Sequence, residues 1–170
     1  IDHVIDSLHR GAFDFLPKPF TFNELLGPIY RACRYLDLQQ QAEWSALAPA
    51  TEAFFLLGIQ AWARREAPGT VLLGVTDVFA RTVGRLVRVE LPEVNGPVQQ
   101  GALLARFEAE DHRVHMAWAA LSGWVLAVNP GWEEAPDRLI KGSSEECWIV
   151  RIRPANLAQE QQVLTPSSRS

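Results

Sequence analysis

The sequence predicts a mainly β domain of the sandwich or barrel kind, preceded by a short helix–strand–helix segment. Beyond Thr51, six short segments rich in β-branched and aromatic residues follow one another: "TVLLGV", "RLVRVEL", "ALLARFEAE", "VHMAWAAL", "GWVLAV" and "CWIVRIR". Gly, Pro and Asn separate them at intervals typical of small β proteins. Within the second, Arg88 and Glu90 alternate with Val87, Val89 and Leu91, a period of two that predicts one wet and one buried face.

The N-terminal 40 residues read differently. Val4, Ile5 and Leu8 recur at helical spacing, and Gly11 suits a C-terminal cap. The run Ala12–Phe20, "AFDFLPKPF", is apolar and bounded by prolines, as a short buried strand would be. Thr21 and Glu24 have capping-box spacing, and Leu25, Leu26, Ile29, Cys33 and Leu36 form the apolar stripe of the helix that follows. Pro28 argues against that helix, because an interior proline removes a hydrogen bond. Glutamine, alanine and proline then mark a linker at 41–53. The expected organisation is 1–40, linker 41–53, β domain 54–155 and a flexible tail 156–170. "GRLVRV" from Gly84 and "GWVLAV" from Gly123 repeat a pattern at a separation of 39 residues, as two similar halves facing one core would.

Composition narrows the function classes. The chain has 170 residues, 48% of them hydrophobic and 21% charged, with a net charge of −4. That balance fits a globular protein and argues against a nucleic-acid binder. No apolar run approaches the ~20 residues that span a bilayer, so no membrane partner and a cytoplasmic location are expected. Cys33 and Cys147 imply no disulfide framework. The 16 basic residues comprise 14 arginines and two lysines, Lys18 and Lys141. Any chemistry that needs a modified lysine must use one of those two.

Two stretches carry family resemblances. "GTVLLGVTDVFARTVGRLVRVELPEVNGPVQQG" (Gly69–Gly101), "LSGWVLAVN" (Leu121–Asn129) and "CWIVRIRP" (Cys147–Pro154) are similar to the glycine cleavage H-protein family, with Trp62 at that family's tryptophan position. The resemblance implies a lipoyl-type barrel-sandwich hybrid with short helices, in which Thr76 caps a helix that Gly84 ends. It also implies a hairpin whose tip lysine carries lipoate between partner enzymes. The corresponding stretch Phe107–Gly123 has no lysine, and the acceptor position falls on Asp111 or His112. Neither side chain forms the amide that attaches lipoate, so no cofactor is expected. "RGAFDFLPKPFTFNELL" (Arg10–Leu26) resembles the end of a response-regulator receiver domain. In that family the lysine of the Lys-Pro pair contacts a phosphoryl group, which makes Lys18 and Pro19 a phosphoryl-sensing remnant; the peptide bond between them is commonly cis.

Other residues have plainer roles to fill. His112 and His115 could bind a metal only across a turn, because strand positions three apart face opposite sides; solvated hairpin residues are the expectation. Glu108, Glu110 and Asp111 read as a solvated acidic tip. Trp118, Trp124 and Trp148 are expected in or near the core, and Trp44 and Trp132 at an interaction patch. Cys147 has no basic neighbour to make it a nucleophile, and Gly58, Gly69 and Gly74 are not spaced as a phosphate loop.

The expectation is a non-catalytic signalling and interaction protein, not an enzyme. It would carry a degenerate H-protein-like domain on a phosphorelay segment and bind protein partners, a second copy through the receiver-like segment among them. The alternative is a lipoyl carrier of the glycine cleavage system. A small-ligand site in the groove that would receive a lipoyl arm is a third reading.

Overall fold

The computed structural model describes residues 2–40, 54–66, 68–143 and 145–166. The expected linker 41–53, with Trp44, lies outside the described residues, as do 167–170 of the expected tail.

All six predicted β segments are strands. In chain order the domain runs β1 (Phe54–Leu57), β2 (Ala61–Arg65), β3 (Val71–Val75), β4 (Leu86–Glu90), β5 (Pro97–Val98), β6 (Leu103–Ala109), β7 (Val114–Trp118), β8 (Gly123–Val128), β9 (Trp148–Pro154) and β10 (Thr165–Pro166). They form a seven-stranded sheet in the order β10-β1-β2-β3-β9-β8-β5 and a three-stranded sheet β4-β6-β7, with antiparallel pairing throughout. The two repeated hexads fall on β4 and β8, one in each sheet. Between the sheets lies an apolar core in which the Phe107 ring meets Phe79 and Trp132 edge-on, each at 5.2 Å between centroids.

Strand β4 shows where simple alternation fails. Val87 is 52% exposed, on the wet side with Arg88 and Glu90. The register against β6 shifts between Leu86 and Arg88, and a bulge of this kind turns a side chain to the other face.

Short helices complete the domain. Thr76 caps α3 (Asp77–Thr82) by accepting from the Phe79 amide at 3.2 Å, and Gly84 follows with φ of 82°. Helices α4 (Gly131–Glu134) and α5 (Pro136–Ile140) lead to β9. The expected flexible tail instead carries α6 (Leu157–Glu160) and β10, which pairs with β1 and closes the sheet edge.

In the N-terminal segment, α1 (Asp2–His9) and α2 (Phe22–Gln39) form as predicted. Val4, Ile5 and Leu8 join the same buried cluster as the β core. The Thr21–Glu24 capping box is complete, and the helix runs on through Pro28. Contacts of α2 on either side of the proline, at Glu24 and Arg31, hold it in place.

The predicted strand in residues 12–20 is absent. A strand needs a neighbouring backbone, and here side chains take that part. The Phe15 amide donates to Asp14 Oδ1 at 2.8 Å, and the Phe13 carbonyl accepts from Gln60 Nε2. Phe15 then packs edge-on against Trp118, 5.9 Å away.

One buried ion pair fixes this segment. Arg31 on α2, wholly inaccessible, pairs with Asp14 and donates to Gln60 Oε1. Asp14 Oδ1 also accepts from the Trp118 indole at 3.1 Å. Removing one partner of a buried pair strands a charge in low dielectric, at a cost of ~3–5 kcal/mol. Asp14→Ala should therefore lower the unfolding free energy by about that amount, and Asp14→Asn, which keeps an acceptor, by less. Urea titration followed by tryptophan fluorescence measures both.

Candidate functional site

The hairpin of β6 and β7 presents residues 110–113 at its tip. Its turn is closed by backbone bonds from Ala109 to Arg113 and from His112 to Ala109, both 2.9 Å. His112 adopts φ of 67°, the left-handed region that a turn of this length requires. The Glu110 amide donates to the Arg85 carbonyl at 2.9 Å, so the tip is anchored to the segment leading into β4.

The two candidate acceptor positions are both exposed and already engaged. Asp111 pairs with Arg113 and accepts from the Arg113 amide at 3.3 Å. His112 Nδ1 lies 3.5 Å from Glu108 Oε1. Glu110 pairs with Arg85 at 3.3 Å. The acidic residues at the tip are thus each matched by a basic or imidazole neighbour. Arg113 also lies over the Tyr30 ring of α2, 3.2 Å from its centroid, which ties the hairpin to the N-terminal segment.

His112 and His115 do not converge. His112 is at the solvated tip, whereas His115 is fully buried between β7, α2 and α3, which corrects its expected place on a solvated hairpin. Alternation along β7 sends it inward, where α2 covers it. Its ring nitrogens face the backbone of Gly27 and Val83 without a well-formed hydrogen bond. Burial, with Arg31 and Arg113 nearby, holds its pKa down to about 3. Gly27 makes this approach feasible: a Cβ there would fall inside the Val114 carbonyl.

The tryptophans divide differently from expectation. Trp132 is completely buried and donates to the Trp148 carbonyl at 2.8 Å, because α4 turns it into the core. Trp124 is 54% exposed on β8, where alternation sends it outward. Cys147 is buried, and burial pushes its thiol up to about 12, which keeps it protonated. Among the described residues, no three His, Cys, Asp or Glu side chains cluster as metal ligands.

Neither lysine approaches the acceptor role through the hairpin. Lys18 and Pro19 are exposed in the connection between α1 and α2, with a cis peptide bond between them. Lys141 follows α5, and its Nζ is 2.6 Å from Asp137 Oδ2. A groove of about 870 Å³ runs between α1, β5, β8 and α6, past His9, Val98, Trp124 and Val163; no residue of the hairpin tip lines it.

The glycine cleavage H-protein family model matches residues 57–169, which takes in both sheets and the hairpin. The chain belongs to the glycine cleavage H-protein family. It is 38% identical to a probable glycine cleavage system H protein of Thermococcus gammatolerans over 99 residues, 58% of this chain and 72% of the relative. It is 34% identical to the glycine cleavage system H protein of Ralstonia nicotianae over 95 residues, 56% of this chain and 73% of that one. The solved glycine cleavage H protein of Mycobacterium marinum shares the fold, with a TM-score of 0.55 and 24% identity over 62% of this chain and 86% of that chain.

These likenesses correct the expectation of a non-catalytic signalling protein. Relatives named as glycine cleavage H proteins favour the family's carrier role over signalling. They point to glycine cleavage in place of the response-regulator, receiver and phosphorelay role expected of the N-terminal segment. Val4, Ile5 and Leu8 pack α1 on the β domain, with Phe15 and Leu16 against the same core, whereas α2 is held by Glu24, Gly27 and Arg31. Across the described residues no helix is long and apolar enough to cross a membrane.

The buried His115 makes a pH prediction. A histidine whose folded pKa lies below its unfolded value binds more protons when unfolded. Its contribution is intact above pH ~6.5 and shrinks as pH falls towards the folded value. The protein should therefore lose stability steadily on acidification from neutrality. His115→Leu should flatten that slope above the carboxylate range, measured as thermal midpoints across the pH series.

Proposed function

We propose that the chain serves the glycine cleavage system as an H-protein-like component that docks to the system's partner enzymes. The observation that carries this reading is the family match over 57–169, spanning the two-sheet scaffold and the projecting β6–β7 hairpin. Glycine cleavage H proteins from archaea and bacteria among the relatives support the same system.

The lipoyl group that the family implies would sit on a hairpin lysine and supply a dithiolane arm. The residues here do not fit it. Residues 107–123 hold no lysine. A carboxylate at Asp111 has no amine to acylate, and the imidazole of His112 gives no stable amide. We infer that lipoate is not attached to this chain, at the hairpin or at Lys18 or Lys141. What the chain's own residues supply is a braced hairpin: Arg113 against Tyr30 and Asp111, and Glu110 against the Arg85 carbonyl, hold the tip in one orientation towards a partner.

Two measurements test this. Surface-immobilised glycine-decarboxylating enzyme of the same system should bind the full chain saturably; no binding at the highest soluble concentration overturns this reading. Incubation with lipoate ligase, ATP and lipoate should leave the intact mass unchanged. A lipoyl increment mapped to Lys18 or Lys141 would overturn the inference about attachment.

A further inference from the structure

Helix α2 is docked inside out. The residues it buries are Glu24, Gly27 and Arg31, two charges and a glycine. The residues it turns to solvent include Phe22, Ile29 and Leu36, 71%, 50% and 57% exposed. An amphipathic helix on a globular domain ordinarily does the reverse.

The buried face cannot be exchanged for the apolar one. Glu24 receives Arg106 of β6 at 2.7 Å and closes the capping box, and Arg31 holds Asp14 and Gln60. Rotating the helix to bury Phe22 and Ile29 would strand both charges. Gly27 lies against the Val114 carbonyl, where no larger residue fits. The apolar stripe is therefore left outward by a fixed and satisfied docking.

The stripe is regular. Phe22, Leu26, Ile29, Cys33 and Leu36 follow each other at spacings of 4, 3, 4 and 3, the seam pattern of paired helices. We propose that it is the contact surface of a homodimer, in which two copies pack α2 antiparallel about a two-fold axis at Ile29.

Several features select a second copy as the occupant. The stripe is nearly palindromic about Ile29, so an antiparallel copy sets Phe22 opposite Leu36 and Leu26 opposite Cys33. Each layer off the axis then joins one larger and one smaller side chain, and Ile29 meets its own copy on the axis. A parallel copy would stack Phe22 on Phe22 and leave a thin layer at Cys33. The positions flanking the seam are Asn23, Leu25, Tyr30, Ala32, Asp37 and Gln39, with a single charge among them. In the antiparallel register Asp37 comes opposite Asn23 of the other copy, so no like charges meet. The opposed helix dipoles also favour this arrangement.

Sedimentation equilibrium of the full chain tests the proposal. A concentration-dependent dimer is expected, and Ile29→Glu, which places two carboxylates on the axis, should raise the dissociation constant at least tenfold with unchanged circular dichroism. A wild-type chain that stays monomeric at every concentration would overturn it, as would an Ile29→Glu variant that dimerises equally well. A second readout does not depend on that variant. Ile29→Cys in a Cys33→Ser background should form a disulfide-linked dimer on mild oxidation, whereas the wild-type Cys33 should not. Cross-linking through Cys33 with none through residue 29 would refute the antiparallel arrangement.

Discussion

The buried pair of Arg31 and Asp14 is the contact on which the N-terminal third depends. Neither side chain could remain charged in this interior alone. Together they also engage Gln60 of the segment before β2 and Trp118 of β7. The pair thus joins α2, the irregular connection before it and both sheets. Burial pulls on the Arg31 charge while Asp14 restores it. The Arg31 guanidinium also lies over the Phe79 ring, 4.7 Å from its centroid, so the charge is met by an aromatic face as well.

The fixed position of α2 has consequences in both directions. Towards the domain, it seals His115 from water and supplies Tyr30 as the platform for Arg113, so the hairpin tip is braced by a helix that lies outside the matched family region. Towards solvent, it displays a regular apolar seam. The same few inward contacts, Glu24 to Arg106 and Arg31 to Asp14, decide both outcomes. They leave the helix no alternative rotation.

Membership of the H-protein family and the composition of the hairpin pull in different directions, and the physical resolution is local. The family's fold needs two sheets, a core between them and a tight turn at the β6–β7 tip. All of these are present: Phe107 against Phe79 and Trp132 in the core, and His112 in the left-handed conformation at the turn. Carrying lipoate needs one further thing, a primary amine at the tip, and this is a property of a single side chain. Fold and attachment chemistry are separable because only the first is spread over the whole core.

By itself the sequence determined the six central strands, the capped helices α2 and α3, and the likeness to the H-protein family. These are local or motif-borne signals: alternation, a capping box, and turns of fixed composition. It determined as well that the hairpin lacks lysine, since that is a matter of residue identity. Tertiary structure alone decided the rest. Alternation on β4 gave way at Val87 to a bulge, and the apolar run around Phe15 became a side-chain-bonded connection because no strand stood beside it. His115 and Trp132 went inside, and Trp124 outside, because burial depends on what packs above a position. The inversion of α2 was illegible for the same reason. An apolar stripe in a sequence says that something will cover it, but which face meets the domain was settled by distant partners, Asp14, Gln60 and Arg106, that satisfy its buried charges.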